Sequence, residues 1–329
     1  MSGSTPEKAL LQILIPTYAR AELLEQNLNS LAELLIKLQA CDDVALLISN
    51  NASPDHTAEV INTFSAQAPM PLQCIEQSTN IGLEPNALAC LQAATAPYVM
   101  FLGDDDFLSE GYLKQVLAHV RAGRQECLCP SFRECDIDGV PFSRARDEGL
   151  GEKDFKPGFK ALWWLAWRSH QMSGLCFVRA GVYETYRQAG CANLYPFVFF
   201  VIFSALNRGG RLLPQYPLRV TSIGQQSKDW SYGDDGLIDD FLQNYKKLPG
   251  LAFWARVALE FQFLRGQRWR YKELMIKNPG KFLAIVWRLQ NASWVVKSYL
   301  FIYAPLKAGR ESLKRSSSRS NGGSNKKSA

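Results

Sequence analysis

The stretch Tyr98-Val99-Met100-Phe101-Leu102-Gly103-Asp104-Asp105-Asp106 decides how the rest of the chain is read. Its apolar run, opened by Pro97 and closed by a glycine, predicts a short strand buried on both faces. The run stops at three adjacent carboxylates, which repel one another and require either a compensating cation or full exposure to water. In α/β sheets ligands gather at the carboxyl ends of strands, which is where these acids fall. Asp104 and Asp106 are two positions apart, so an extended chain points both the same way. Two oxygens so placed suit Mg2+ or Mn2+ shared with a diphosphate. A solvated acidic turn ahead of a helix beginning near Ser109 is the other reading, and the triplet alone does not choose between them.

Three further strands precede this one. Leu11 to Pro16 and Val44 to Ser49 are short apolar runs and Leu72 to Glu76 is a weaker strand, each followed by turn formers and then a helical pattern. The helix after the first strand carries Leu24, Leu28, Leu31, Leu35 and Leu38 on one face. Strands alternating with helices predict an α/β fold with a doubly wound, mostly parallel sheet. Neither a Gly-x-Gly-x-x-Gly turn nor a Walker loop follows any strand, which counts against dinucleotide binding and phosphate-loop ATPases. Instead the strand ends carry Thr17, Asn50, Asn51, Ser53, Asp55, Asn80 and Asp104, small polar groups able to bond a base, a ribose and, through a metal, a diphosphate.

Four segments in register, Ile-Pro-Thr-Tyr-Ala-Arg (15–20), Asn-Asn-Ala-Ser-Pro-Asp (50–55), Asn-Ile-Gly-Leu-Glu-Pro-Asn (80–86) and Phe-Leu-Gly-Asp-Asp-Asp (101–106), resemble the nucleotide-sugar half of a GT-A-type glycosyltransferase. The likeness, over roughly residues 10–140, is to the large inverting family that builds bacterial surface polysaccharides. It implies that Pro16, Thr17 and Tyr18 line a base pocket with Arg20 beside it. It also implies that Asn50, Asn51 and Ser53 contact base and ribose, and that Asn80, Gly82 and Asn86 shape the floor. Asp104 and Asp106 match the Asp-x-Asp signature that holds Mg2+ or Mn2+, with Asp105 between them beside the nucleotide sugar. Many members have aspartate where Asn50 stands; an amide offers a donor that a carboxylate lacks, so uracil preference does not carry over.

In the second half, Ser109 to Arg121 predicts a helix and Cys127 to Glu134 a buried strand leading to the turn Asp136-Ile137-Asp138-Gly139. Arg144 to Pro157 reads as a loop over the site. Phe159 to Ser169 reads as a helix whose Trp163 and Trp167 share a packed aromatic face. Met172 to Arg179 resembles the family's strand returning on the acceptor side, after which relatives commonly carry a Glu-Asp pair on a helix. Here Leu194 to Phe200 is wholly apolar, and no acid occurs between Glu184 and Asp229. The general base is thus unassigned, with Asp229, Asp234 and Asp235 as candidates and Asp136, Asp138, His170 and Glu184 as further substitutes. Gln225 to Trp230, after a strand at Pro217 to Ser222, resembles a loop closing over the nucleotide, which makes Lys228 and Trp230 donor or acceptor contacts, with Trp230 counted among the nucleotide-sugar residues.

The 329 residues are 47% hydrophobic and 21% charged, enough for a sizeable core. The net charge of +6 resides in residues 307–329, where seven basic residues face one acid, so nucleic-acid binding by the body has no electrostatic support. Eight cysteines form no Cys-x-x-Cys pair, and no export signal is visible, which predicts a cytoplasmic protein. Phe282 to Tyr303 is apolar but holds Arg288 and Lys297, too charged to span a bilayer. With the basic tail it makes the inner face of the membrane, an anionic surface, a candidate partner. The expected organisation is a GT-A catalytic domain over 1–235 (nucleotide-sugar half 1–140, acceptor half 141–235), a helical region over 236–306 and a disordered basic tail over 307–329. The expected function is glycosyl transfer from a nucleoside-diphosphate sugar to a saccharide or lipid-linked acceptor. The alternatives are a non-catalytic saccharide-binding or scaffold protein on the same fold, or a sugar-phosphate nucleotidyltransferase.

Overall fold

The acid-ended strand lies inside the sheet, as its apolar run requires. The computed structural model describes the backbone of residues 9–222 and 237–322 and the side chains through Glu311. The chain divides into two compact units, residues 1–229 and 230–329. In the first, strands and helices alternate: β1 (Leu11–Thr17), α1 (Ala21–Lys37), β2 (Val44–Asn50), α2 (Thr57–Ser65), β3 (Leu72–Glu76), α3 (Leu83–Ala93), β4 (Tyr98–Phe101) and α4 (Glu110–Arg121). Then come β5 (Cys127–Cys135), β6 (Lys153–Phe155), α5 (Phe159–Leu165), a 3-10 turn (Ala166–His170), β7 (Cys176–Val178), α6 (Val182–Gln188), α7 (Pro196–Arg208) and β8 (Gly210–Thr221). The strand order is β3-β2-β1-β4-β7-β5-β8-β6. β1 to β4 are mutually parallel, β5 and β8 are parallel to each other, and β6 and β7 run antiparallel to their neighbours.

Both faces are covered. On one, Leu24, Leu28, Leu31 and Leu35 of α1 join residues of α2 and α4 over Leu11, Ile13, Ile15, Leu46, Ile48 and Met100. The four-residue and three-residue spacing of the α1 leucines keeps them on a single stripe toward the sheet. On the other, Phe101 of β4 meets Phe197 and Phe200 of α7, with ring centroids 4.9 and 5.8 Å apart. α7 is the apolar segment without acids, and its Phe197, Phe199 and Phe200 are buried. Its composition is that of a core helix, because strand β4 has no polar face to offer it.

Several local expectations change. The predicted helix over Phe159 to Ser169 divides into α5 and the 3-10 turn. Its tryptophans share no packed face: Trp163 is 41% exposed, while Trp167 lies under the Arg168 guanidinium, 4.4 Å from its ring centroid. The stretch Arg144 to Pro157, read as a loop over the site, instead includes the edge strand β6 paired with β8, and its first part is pinned because buried Asp147 accepts from Arg168 at 2.7 Å and from Arg146 at 3.0 Å. The strand at Pro217 to Ser222 is the end of the longer β8.

The second unit is helical: α8 (Ile238–Lys247), α9 (Phe253–Gly266), α10 (Trp269–Lys277), α11 (Pro279–Arg288) and α12 (Trp294–Gly322). The apolar stretch Phe282 to Tyr303 is broken between α11 and α12 by two acids that catch loose backbone N–H groups. Asp239 accepts from Gln290 N and Asn291 N at 3.1 and 2.7 Å, and Glu260, held by Arg256 at 2.7 Å, accepts from Ser293 N at 2.9 Å. Residues 307–322, expected to be disordered, continue α12 as helical backbone. Helix-forming Leu, Lys and Arg alternate with the serines there, and Lys307 pairs with Glu311 one turn on, at 2.9 Å. Among the described residues no helix is long and apolar enough to cross a membrane.

Candidate functional site

The acids following β4 are buried, not solvated: Asp104, Asp105 and Asp106 are 5%, 6% and 3% exposed. The chain at and just after the end of β1 holds the first two, and the end of β8 with the segment before β7 holds the third. Asp104 accepts from Thr17 Oγ1 at 2.7 Å, at the end of β1, and from Arg20 Nη1 at 3.0 Å. The same Arg20 nitrogen donates to Asp105 at 2.6 Å. Asp106 turns inward: Oδ1 accepts from Thr221 N at 3.0 Å, at the end of β8, while Oδ2 accepts from Gln171 Nε2 at 2.9 Å and from Ser173 Oγ. Thr221 Oγ1 donates to the Asp105 carbonyl at 2.5 Å, and buried Asn27 of α1 donates to the carbonyls of Gly103 and Asp106. Gly103 is required by this fold-back. A Cβ there would lie 2.8 Å from Asp106 Oδ2 and 3.2 Å from Ser173 Oγ.

Burial opposes charge on all three acids. It raises Asp104 against the pull of Arg20 and Thr17, and raises Asp106 to about 6 against the Ser173 and Thr221 donors. Asp105 is pushed furthest, first by burial and then by the flanking Asp106 and Asp104 carboxylates. Burial works against the Arg20 cation too, but Asp104 and Asp105 outweigh it and hold the guanidinium charged. One guanidinium therefore faces three buried carboxylates, which sets up an electrostatic demand for more positive charge. Among the described residues no three His, Cys, Asp or Glu side chains close around a metal ion. The oxygen-only donors and the excess negative charge nonetheless fit a hard divalent ion that takes one or two carboxylates and completes its shell elsewhere.

Loops from β1, β2 and β3 are stitched together beside the acids. Asn50 donates its amide to both Glu76 oxygens at 3.0 Å and accepts from Ser53 Oγ at 2.5 Å. Ser53 in turn accepts from Ala19 N at 3.0 Å, and Asp55 accepts from Ala21 N at 3.1 Å. Asn51 donates to Asn80 Oδ1 at 2.8 Å and accepts from Ile81 N at 2.9 Å, while Asn80 also accepts from Gly82 N. Asn86 is buried and satisfied by Ser49, at 2.7 Å to its hydroxyl and 3.0 Å to its carbonyl. Ala19 and Ala52 take left-handed backbone, at φ of 53° and 56°. Such strain in non-glycine residues persists where the surroundings over-determine it, and here both lie in the stitched loops.

The sequence-derived residues Pro16, Thr17, Tyr18, Arg20, Asn50, Asn51, Ser53, Asn80, Gly82 and the three acids fall at the carboxyl ends of β1 to β4 or in the loops that follow, and Asn86 lies in the first turns of α3. Gln171, Ser173, Thr221, Asn27 and Glu76 escaped sequence reading, because single polar residues outside a motif carry no signal of where the fold brings them. Asp229, Asp234, Asp235, Lys228 and Trp230 lie outside the described residues. Asp136 is a turn residue, accepting from Asp138 N and Val140 N at 3.1 and 2.8 Å.

The model of glycosyl transferase family 2 matches residues 12–187, more than half of the 329 residues. The chain is similar to the abequosyltransferase RfbV of Salmonella typhimurium, 32% identical over 129 residues, which are 39% of this chain and 38% of that protein. It is also similar to a GalNAc(5)-diNAcBac-PP-undecaprenol beta-1,3-glucosyltransferase of Campylobacter jejuni, 27% identical over 149 residues, 44% of this chain and 47% of that one. The chain thus spans less than half the length of either relative. Among solved structures, S. aureus TarS 1–349 in complex with UDP-GlcNAc superposes with a TM-score of 0.59 at 13% identity, covering 84% of this chain and 79% of that one. The mannosyltransferase PcManGT from Pyrobaculum calidifontis, in complex with GDP-Man and Mn2+, gives 0.53 at 13% identity, covering 92% and 88%. These two likenesses establish the GT-A-like fold.

Proposed function

The chain belongs to glycosyl transferase family 2, and on that premise we propose that it moves a sugar from a nucleoside diphosphate to a saccharide or lipid-linked acceptor in surface polysaccharide synthesis. The observation that carries the reading is the buried acid triplet, short of positive charge, set against the stitched loops of β1, β2 and β3. Tyr18, Arg20 and Ser53 are only partly buried and border the base and ribose positions. Asn51, Asn80, Gly82 and Asn86 hold the loops at fixed spacing. Arg20 donates to carboxylates now and is placed to meet a diphosphate as well.

Mg2+ or Mn2+ fits the site, and when bound it stabilises charge on the departing diphosphate. The motif pattern names Asp104 and Asp106 as its ligands. Asp106 accepts from Thr221, Gln171 and Ser173, while Asp105 accepts from the same Arg20 as Asp104, which makes Asp105 an alternative second ligand. Asp104 and Asp105 share the one guanidinium, which marks where a cation is wanted. Inversion at the anomeric carbon is part of the proposal, as are Asp229, Asp234 and Asp235 as candidates for the base that deprotonates the acceptor. Trp230 is carried as a donor contact.

The test is melting temperature against a panel of nucleoside diphosphates and their sugars, with and without Mn2+. A ligand that binds only the folded form raises it. The expected result is a metal-dependent rise for one base and its sugar; no rise across the panel sinks the reading. The acid-free, buried α7 favours a second reading, a saccharide-binding protein without turnover. Metal-dependent binding with neither transfer nor hydrolysis across an acceptor panel would select it.

A further inference from the structure

The second unit exposes what folding normally hides. Trp254, Trp287 and Trp294 are 67%, 74% and 66% exposed, and Ile302 and Leu306 are 67% and 60% exposed. From Trp294 to Leu306, α12 contains one charged residue, Lys297. Its inward stripe, Val296, Leu300 and Ala304, is buried. Its outward stripe, Trp294, Phe301, Ile302 and Leu306, is equally apolar yet faces solvent. A helix that is apolar all round belongs in a core or in contact with lipid, and clustered exposed apolar side chains mark an interaction site.

The exposed rings are contiguous. Phe253 lies 5.1 Å from Trp254 and 6.5 Å from Trp294, bridging the start of α9 to the start of α12. Seven residues along α12, Phe301 lies 6.3 Å from Trp287 at the end of α11. Between them Lys297 donates to the Trp287 carbonyl at 3.1 Å, which places a cation within the aromatic patch. Exposed Arg288 follows Trp287 directly.

Charge identifies the occupant. Residues 237–329 hold 18 Lys and Arg against 5 Asp and Glu, a formal +13, while residues 1–236 carry 19 against 26, a formal −7. Tryptophans that prefer an interface between water and hydrocarbon, interleaved with basic groups, match a bilayer with anionic headgroups. Two acids of this unit, Asp239 and Glu260, are occupied with backbone N–H groups, and Glu311 pairs with Lys307.

We propose that the face formed by Phe253, Trp254, Trp287, Trp294, Phe301 and Ile302 inserts shallowly into an anionic membrane surface, with Arg288, Lys297 and Arg310 at the headgroups. The assignment does not rest on the catalytic reading. The full chain is sedimented with phosphatidylcholine vesicles and with vesicles containing about one-third phosphatidylglycerol, while tryptophan emission is recorded. Expected are at least about tenfold tighter binding to the anionic vesicles, a blue shift on binding, and weakening of about tenfold as salt rises from 0.1 to 0.5 M. The triple variant W254S/W287S/W294S loses at least about tenfold with an unchanged melting temperature, and R288E/K297E loses about fivefold per charge. Light scattering of the free protein is run in parallel. Failure to bind anionic vesicles, binding untouched by the tryptophan changes, or a dimer that those changes dissociate in place of vesicle binding would each overturn the proposal.

Discussion

Asp104, Asp105 and Asp106 in the first unit are 5%, 6% and 3% exposed, whereas Trp254, Trp287 and Trp294 in the second are 67%, 74% and 66% exposed. Each set reverses the usual preference of its side chains for water. The acids are tolerated inside because fixed donors from β1, β8 and the segment before β7 meet them, with one guanidinium for partial neutralisation. The tryptophans have no comparable compensation in the fold around them. A buried charge cluster with too little countercharge and a surface with too much oil both await something from outside the chain. The two differ in cost: the first is a strain within a rigid network, the second a surface held ready on packed helices.

The sharpest way to break the comparison is Asp105→Asn. If the triplet is a cation site, turnover falls by about 10²–10³-fold and metal-dependent binding is lost, while the metal-free protein melts no lower than wild type. A variant that keeps metal-dependent binding removes Asp105 from the site. Acidity comes next. Asp106 is raised from the ordinary 3.8 to about 6, so the folded state binds this proton more tightly than the unfolded chain. Its contribution is whole below 3.8 and is lost as pH rises through 6. Metal-free stability should therefore fall between about pH 4 and pH 6, by on the order of 2–3 kcal/mol, and chemical denaturation across that range measures it. Asp106→Ala should flatten this slope and, at pH 5, destabilise by about 1–3 kcal/mol through the donors left without an acceptor.

Arg20→Met leaves the three carboxylates without their guanidinium. Melting in chelator should drop by several degrees, about what the loss of 1–2 kcal/mol produces, and Mn2+ should then raise it by more than it raises wild type. An equal rise in both proteins would mean that arginine and metal do not compete for the same field. The smallest effect is expected at the rim. Glu76→Gln weakens the pairing that spends the Asn50 amide, and should shift the ratio of affinities between nucleotide bases by about threefold to tenfold in calorimetry.

The acids and the loops were legible because each announces itself locally: an apolar run ending in carboxylates, an Asn-Asn turn, an Asn-x-Gly turn. The partners that define what each acid does were not. Thr221 lies 115 residues from Asp106 in sequence, and its contribution is a backbone N–H, which no side-chain pattern encodes. Asn86 read as a pocket floor, and the structure shows why it is spent below the surface: both ends of its amide bond Ser49. The tryptophans illustrate the reverse failure. An aromatic at helical spacing is written the same way in a core and at an exposed face, and only packing separates Trp163 from a buried ring.

Gly103 has a consequence for reading other chains. Its missing methyl is what allows the third acid to curl back over the backbone. A relative bearing any side chain at that place must swing its last carboxylate elsewhere, so acids that align letter for letter need not do the same job. Gly103→Ala tests this within one protein: the acids stay unchanged, and if the inward pose matters, the melting temperature and metal response move together.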